Sequence, residues 1–291
     1  MVNTYIKRIN QVYPKLTIRE YEKNDIGQNN DVLIINTNLV FRFPKYKDGI
    51  SILKEETRIL SCIKSKVSLT VPSPIYLSFD QMDVGQAFTG YELIPGSPLW
   101  KEKLYKIKNK GSVKNIAVQL VNFLKELHSI PKDRCYPNFE QMENNPQKDM
   151  IVLFEKIKSK IYPLISDKHK KQITKSFKEF LESPSFLNLE TTLIHGDFGA
   201  SNIIYNPVES EVSGIIDFGG SGVGDPAYDF AGLLSSYGEA FYNMCLELYP
   251  SGKEISKRVT FYKSTFALQE ALHGIENNDP EAFESGIKDY R

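Results

Sequence analysis

The chain has 291 residues, enough for one large domain or for two lobes around a shared cleft. Its apolar fraction of 41%, charged fraction of 25% and net charge of zero are ordinary for a globular protein and give no overall field that would draw nucleic acid or a membrane surface. No run approaches the roughly 20 apolar residues of a membrane span, and the opening MVNTYIKRIN lacks the apolar core of a secretory signal, so a cytoplasmic protein is expected. Residues 3–13 then read as a short helix, with Val2, Ile6, Ile9 and Val12 or Tyr13 on one face. Thr17–Glu22 alternates weakly, residues 25–31 are turn-rich, Val32–Asn36 is β-branched, and Leu39–Phe43 alternates again up to Pro44. This predicts a small antiparallel sheet.

A helix is predicted over 50–64, ended by Pro72 and Pro74, and two further strands over Ile75–Phe79 and Phe88–Leu93. Ile94-Pro-Gly-Ser-Pro98 is a strong breaker, and a lobe boundary is placed there, giving 1–94 and 95–291. The second part reads as mostly helical: 113–128, 147–165, 169–181, 227–249, 255–275 and 280–290. Between them, Leu193–Gly219 is rich in β and loop signals. The three cysteines, Cys62, Cys135 and Cys245, are far apart and match no metal spacing, so they read as reduced thiols.

Chemistry concentrates between residues 191 and 219. A strand-like run, Thr191–Ile194, leads into His195-Gly-Asp197; Asn202 follows five residues after that Asp; a second run, Gly214–Ile216, leads into Asp217-Phe-Gly219. Phosphoryl transfer needs an aligned nucleophile, divalent metal and positive charge on the phosphates. Asp197 in a short loop can accept the proton of an incoming hydroxyl. Asn202 and Asp217 supply the hard oxygen donors that Mg²⁺ prefers. His-x-Asp, Asn at +5 and a later Asp-Phe-Gly is the layout of kinase catalytic and metal loops. His195 reads as a buried brace for the loop rather than a proton carrier.

The segments LIHGDFGASNIIY and SGIIDFGGSGVGDPAYDF resemble the aminoglycoside phosphotransferase family, which has a protein-kinase-like fold. VFRFPK at 40–45, Glu56 in KEETRIL and FTGYELIPGSPL at 88–99 extend the likeness over nearly the whole chain, and within the family it is most similar to the 2″-O-phosphotransferases. The resemblance implies an α+β bilobal fold, with a small antiparallel-sheet lobe carrying one main helix and a larger helical lobe. It implies Asp197 as catalytic base and Asn202 and Asp217 as Mg²⁺ ligands. Arg42 stands where the family's strand lysine is usual; it would bridge phosphate and Glu56, with Lys45 the second candidate. Gly27 is the single glycine of the nucleotide loop. Glu92 and Ile94 would meet the purine through their backbone, with Tyr91 behind it. A bulky Tyr there accompanies a preference for GTP over ATP, so GTP is favoured over ATP as donor.

On the substrate side, residues 217–291 hold twelve Asp and Glu against six Lys and Arg. A polycationic acceptor calls for carboxylates, and Asp225, Glu239 and Glu270 are the candidates. Asp229 reads as a structural brace, and His128 and His273 as packed residues. Trp100 reads either as a stacking platform or as an anchor. Two departures from the 2″ pattern stand out: Ser201 before Asn202, and Gly220 after Asp-Phe-Gly together with Ser235-Ser236. The expected function is therefore a 2″-type aminoglycoside O-phosphotransferase conferring antibiotic resistance, a monomer without nucleic-acid or membrane partners. The alternatives are a kinase of another small alcohol, such as a macrolide or choline-like metabolite, and a catalytically silent nucleotide-binding module.

Overall fold

The structure is a computed structural model, described here for residues 2–24, 29–136 and 145–291. Alternating apolar residues build its first part. After helix α1 (Val2–Val12) come β1 (Tyr21–Asn24), β2 (Asn30–Ile35), β3 (Leu39–Pro44), helix α2 (Lys47–Ile63), β4 (Tyr76–Ser78) and β5 (Phe88–Glu92). They form one antiparallel sheet in the order β1-β2-β3-β5-β4. The period of two along β3 decides what faces where. Leu39, Phe41 and Phe43 join Leu33, Ile35 and Phe88 under Tyr5 and Ile9 of α1. Each fully buried ring of this kind contributes about 2–3 kcal/mol. Arg42 points to the opposite face, toward α2. There Ile50, Leu53, Glu56, Ile59, Leu60 and Ile63 form the buried stripe of the helix, so a glutamate is set into an otherwise apolar face.

The larger part follows as β6 (Ser97–Pro98), α3 (Lys101–Lys106), α4 (Lys110–His128), α5 (Lys132–Cys135), α6 (Pro146–Lys156), α7 (Asp167–Leu181) and α8 (Pro184–Leu187). Then come β7 (Thr192–Ile194), β8 (Ile203–Asn206), β9 (Glu211–Ile215), β10 (Gly222–Gly224), α9 (Pro226–Tyr237), α10 (Glu239–Leu248), α11 (Gly252–Asn277) and α12 (Pro280–Ile287). Helix α4 lies at the centre, with Ile116, Leu120, Phe123, Leu124 and Leu127 buried in the main apolar core. Two small antiparallel sheets, β6-β8-β9 and β7-β10, hold the loops after β7 and β9 against that core. The molecule is thus an α+β, two-lobed, protein-kinase-like fold, as the sequence pattern and the resemblance led one to expect.

Three expectations change. The single helix over 227–249 is two helices, because Gly238 takes φ +77° and turns the chain between α9 and α10. The helix over 147–165 is regular only to Lys156 and continues through a π turn at Ile157–Ile161. The cysteines are not all reduced. Cys62 in the last turn of α2 and Cys135 at the end of α5 are disulfide-bonded, their Cα atoms 5.7 Å apart. Sequence spacing carries no sign of that pairing, because packing of two helices 73 residues apart creates it. Cys245 is free and buried. No helix among the described residues is long and apolar enough to cross a membrane.

Candidate active site

β7 delivers His195 into the core, where it is fully buried. Its Nε2 lies 3.1 Å from the Ile216 carbonyl, and the Asp197 N–H points at its Nδ1 at 3.2 Å. These partners assign the neutral tautomer with the proton on Nε2. His195 therefore links the loop after β7 to the end of β9. The loop is pinned a second time by Asp229 of α9. Its Oδ2 accepts from the His195 N–H at 2.9 Å and its Oδ1 from the Gly196 N–H at 2.8 Å. Asp229 also meets His128 Nε2 at 3.0 Å, and His128 Nδ1 meets the Tyr249 hydroxyl at 2.9 Å. Gly196 has φ +78°, and a Cβ there would sit 2.0 Å from the Gly220 carbonyl oxygen, so only glycine lets the two loops touch.

Held this way, Asp197 projects into open space. Asn202 Nδ2 donates both to its carbonyl, at 2.9 Å, and to its Oδ2, at 2.8 Å. The carboxylate is open to the cleft on one side and walled by protein on the other; that loss of solvation raises its pKa, while the hydrogen bond from Asn202 acts against the rise.

The second acidic group is placed by strain and charge together. Asp217 sits in the left-handed region at φ 63°. Arg42 Nη2 contacts its Oδ1 at 2.7 Å, while Arg42 Nη1 pairs with Glu56 Oε1 at 2.5 Å. The same Glu56 oxygen accepts the Phe218 N–H at 3.0 Å. Burial alone would lower the Arg42 pKa, but Glu56 and Asp217 overcome it and raise it, so the guanidinium stays charged. The Phe218 ring anchors this loop in the core beside Phe123 and His195, at centroid distances of 6.5 and 4.5 Å. Behind Arg42 lies Tyr91, buried in β5, whose phenol is pushed up to about 12, chiefly by burial.

Two cavities meet here. One of about 410 Å³ is lined by Arg42, Glu56, Asp197, Asp217 and Gly219, with Asn29 and Asn30 at the start of β2. The other, of about 460 Å³, is lined by Trp100, Glu102, Ser201, Ser235, Ser236 and Asp197, among others. Among the described residues, Asp197 is the one that lines both. Asp217 lines the first cavity and Asn202 is buried beneath Asp197; Asn202 Oδ1 and Asp217 Oδ2 take no hydrogen bond from the described residues. They are hard oxygen donors on adjoining loops and suit Mg²⁺. No group of three or more His, Cys, Asp or Glu suited to a metal occurs among the described residues.

The other candidates fall less evenly. Arg42, not Lys45, lines the first cavity. Gly27 lies outside the described residues. Glu92 and Ile94 are not in that cavity's lining; they stand where β5 leaves the sheet, and the Ile94 N–H has no partner among the described residues. Asp225 is not a substrate carboxylate: it is buried, caps α9 through the Ala227 N–H, and is paired twice with Arg258, at 2.6 and 3.1 Å. Glu239 and Glu270 also miss the cavity beside Asp197. Both are exposed and absent from its lining: Glu239 follows the turn at Gly238, and Glu270 lies on α11 one turn from Phe266 and from His273, which line the two cavities. Sequence reasoning missed that His273 and Asn277, near the end of α11, line the first cavity. Their spacing of four marks one helix face but nothing more specific. It also missed Ser236, whose Oγ accepts the Ala200 N–H at 3.0 Å and so steadies the loop carrying Asp197.

The chain is similar to known proteins in sequence and in fold. The chain is 26% identical over 201 residues to viomycin phosphotransferase of Streptomyces vinaceus, covering 68% of this chain and 67% of that one. Its fold matches that of APH(2″)-IIIa in complex with GDP and kanamycin at a TM-score of 0.89, with 24% identity over 98% of this chain and 96% of that one. It also matches APH(2″)-IIa in complex with gentamicin at 0.79, with 23% identity over 97% and 93%. The pattern of the phosphotransferase enzyme family matches residues 20–255, which span both lobes and every loop described above. The chain belongs to the phosphotransferase enzyme family.

Proposed function

We propose that the protein is an aminoglycoside O-phosphotransferase of the 2″ type, which moves the γ-phosphoryl group of GTP or ATP to a sugar hydroxyl and so confers antibiotic resistance. The observation that carries this reading is the position of Asp197 in the lining of two cavities, one with Arg42, Glu56 and Asp217 beside it, groups suited to nucleotide phosphates and metal, the other with Trp100 and three serines. Relatives that bind kanamycin, gentamicin and GDP support it.

In this reading Asp197 takes the proton of the acceptor hydroxyl, with Asn202 holding the carboxylate aimed and its Oδ2 occupied. Arg42 sets positive charge against the phosphates and is itself oriented by Glu56. Asn202 and Asp217 would hold Mg²⁺, which neutralises charge on the β- and γ-phosphates. His195 moves no proton; both of its nitrogens are engaged in holding the loop. Residues 1–94 would hold the nucleotide, with Gly27 over the phosphates and Glu92 and Ile94 offering backbone groups to the purine. Tyr91 behind it favours GTP. Residues 95–291 would supply the catalytic loop and the acceptor cavity. We place the enzyme in the cytoplasm as a monomer.

The test is a steady-state screen of aminoglycosides and macrolides, each with GTP and with ATP. Phosphorylation of kanamycin or gentamicin with a lower KM for GTP is expected. Turnover of macrolides alone would move the protein to the alternative small-alcohol reading.

A further inference from the structure

Trp100 is the only tryptophan of the chain. Its backbone is fixed on both sides. Leu99 is fully buried, its N–H donates to the Ile203 carbonyl at 2.8 Å, and its own carbonyl accepts the Tyr237 hydroxyl at 2.8 Å. The Trp100 carbonyl accepts the Lys103 and Leu104 N–H groups of the first turn of α3. Yet the side chain is 45% exposed, and the indole has no hydrogen-bond, ring or cation partner among the described residues. A large apolar side chain on a rigid mount, left unpartnered in the cavity that holds Asp197, is what a binding platform requires.

The charge around it is small. Apart from Asp197, the cavity is lined by one cation, Lys101, and one carboxylate, Glu102, whose charges cancel; the rest of its polar rim consists of Ser201, Ser235 and Ser236. Of the carboxylates that a polycation would call for, Asp225 and Asp229 are buried in their own contacts, and the exposed Glu239 and Glu270 are not in the lining of this cavity.

We propose that Trp100 is a specificity-determining residue: the acceptor ring carrying the reacting hydroxyl stacks on its indole, with the serine hydroxyls around it, and ion pairing contributes little in this cavity. The inference rests on the reading that this site phosphorylates a sugar hydroxyl. It names the ring next to Asp197 as one recognised through its C–H face and hydroxyls rather than through its ammonium groups.

The test uses the full chain with kanamycin, and with erythromycin as an acceptor bearing a single amino group. Trp100→Ala should raise the acceptor KM roughly tenfold, about 1.4 kcal/mol, while kcat and the nucleotide KM stay within about twofold. Trp100→Phe should restore much of the loss. The KM of the unaltered enzyme for its acceptor should change less than about threefold between low and high salt, and Glu102→Gln should leave it nearly unchanged. The emission of this sole tryptophan should shift as acceptor is added. An unchanged KM in Trp100→Ala, or a loss confined to kcat, overturns the stacking role and leaves phosphoryl transfer standing. A KM that climbs steeply with salt and with Glu102→Gln overturns it in favour of ion pairing. If the unaltered protein turns over neither acceptor, it is the transfer reading that fails; the emission titration then decides the platform alone, and a flat response to both acceptors overturns it.

Discussion

At the scale of single residues, the proposed chemistry depends on two carboxylates held in different surroundings. Asp217 is held beside Arg42, whereas Asp197 has lost part of its solvation and has a raised pKa. A base works only when deprotonated. The acid limb of kcat/KM should therefore fall as pH drops through the Asp197 pKa, and its midpoint should lie above the 3.8 of an ordinary aspartate. A pH–rate profile with full activity at or below that value would remove Asp197 from the role. Arg42 gives a second residue-scale prediction. Arg42→Lys keeps a charge but cannot span Glu56 and Asp217 together. The nucleotide KM should rise about tenfold or more, as read in steady-state kinetics with saturating acceptor.

At the scale of elements, the site is a set of loops pinned by helices. Asp229 of α9 gathers the His195 and Gly196 N–H groups and His128 of α4 around one buried carboxylate. Asp229→Ala strands all three partners and should cost roughly 3–5 kcal/mol in a denaturant melt, with loss of turnover. A cost under about 1 kcal/mol would mean that the loop is held by something else. Much of this level was legible in the sequence, because strand alternation and helix periodicity are local properties. The likeness of 40–45 to the family's third strand pointed to Arg42, and the His-x-Asp, Asn and Asp-Phe-Gly spacing behind two strand-like runs pointed to Asp197 and Asp217. What was not legible depends on distant partners. Asp225 looked like a substrate group because nothing local reveals Arg258, 33 residues away, in the same buried space. The helix expected over 227–249 runs through Gly238, whose positive φ splits it into α9 and α10. His273 and Asn277 reach the first cavity only because α11 runs back to the cleft.

At the scale of the whole molecule, the Cys62–Cys135 bond joins the helix bearing Glu56 to the helical lobe and closes a chain segment of 73 residues. Limiting the unfolded chain over a loop of that size is worth about 4 kcal/mol. Cys62→Ser, or a reducing agent, should lower the melting temperature and raise the nucleotide KM more than the acceptor KM, since the freed helix carries the partner of Arg42. Equal melts with and without reductant would show that the bond contributes nothing to stability. Net charge offers no further lever at this scale, since 36 basic and 36 acidic residues balance. The mass in solution should be that of one chain, 33.2 kDa, by light scattering.

The most direct measurement of the central claim is the kcat of Asp197→Asn for a sugar acceptor, alongside nucleotide affinity. The substitution keeps the shape of the side chain and its place between the two cavities while removing its ability to take a proton. We predict a fall in kcat of roughly 10²–10⁴-fold, with nucleotide affinity within about twofold of the unaltered protein. A kcat within a few-fold of the original would contradict the account.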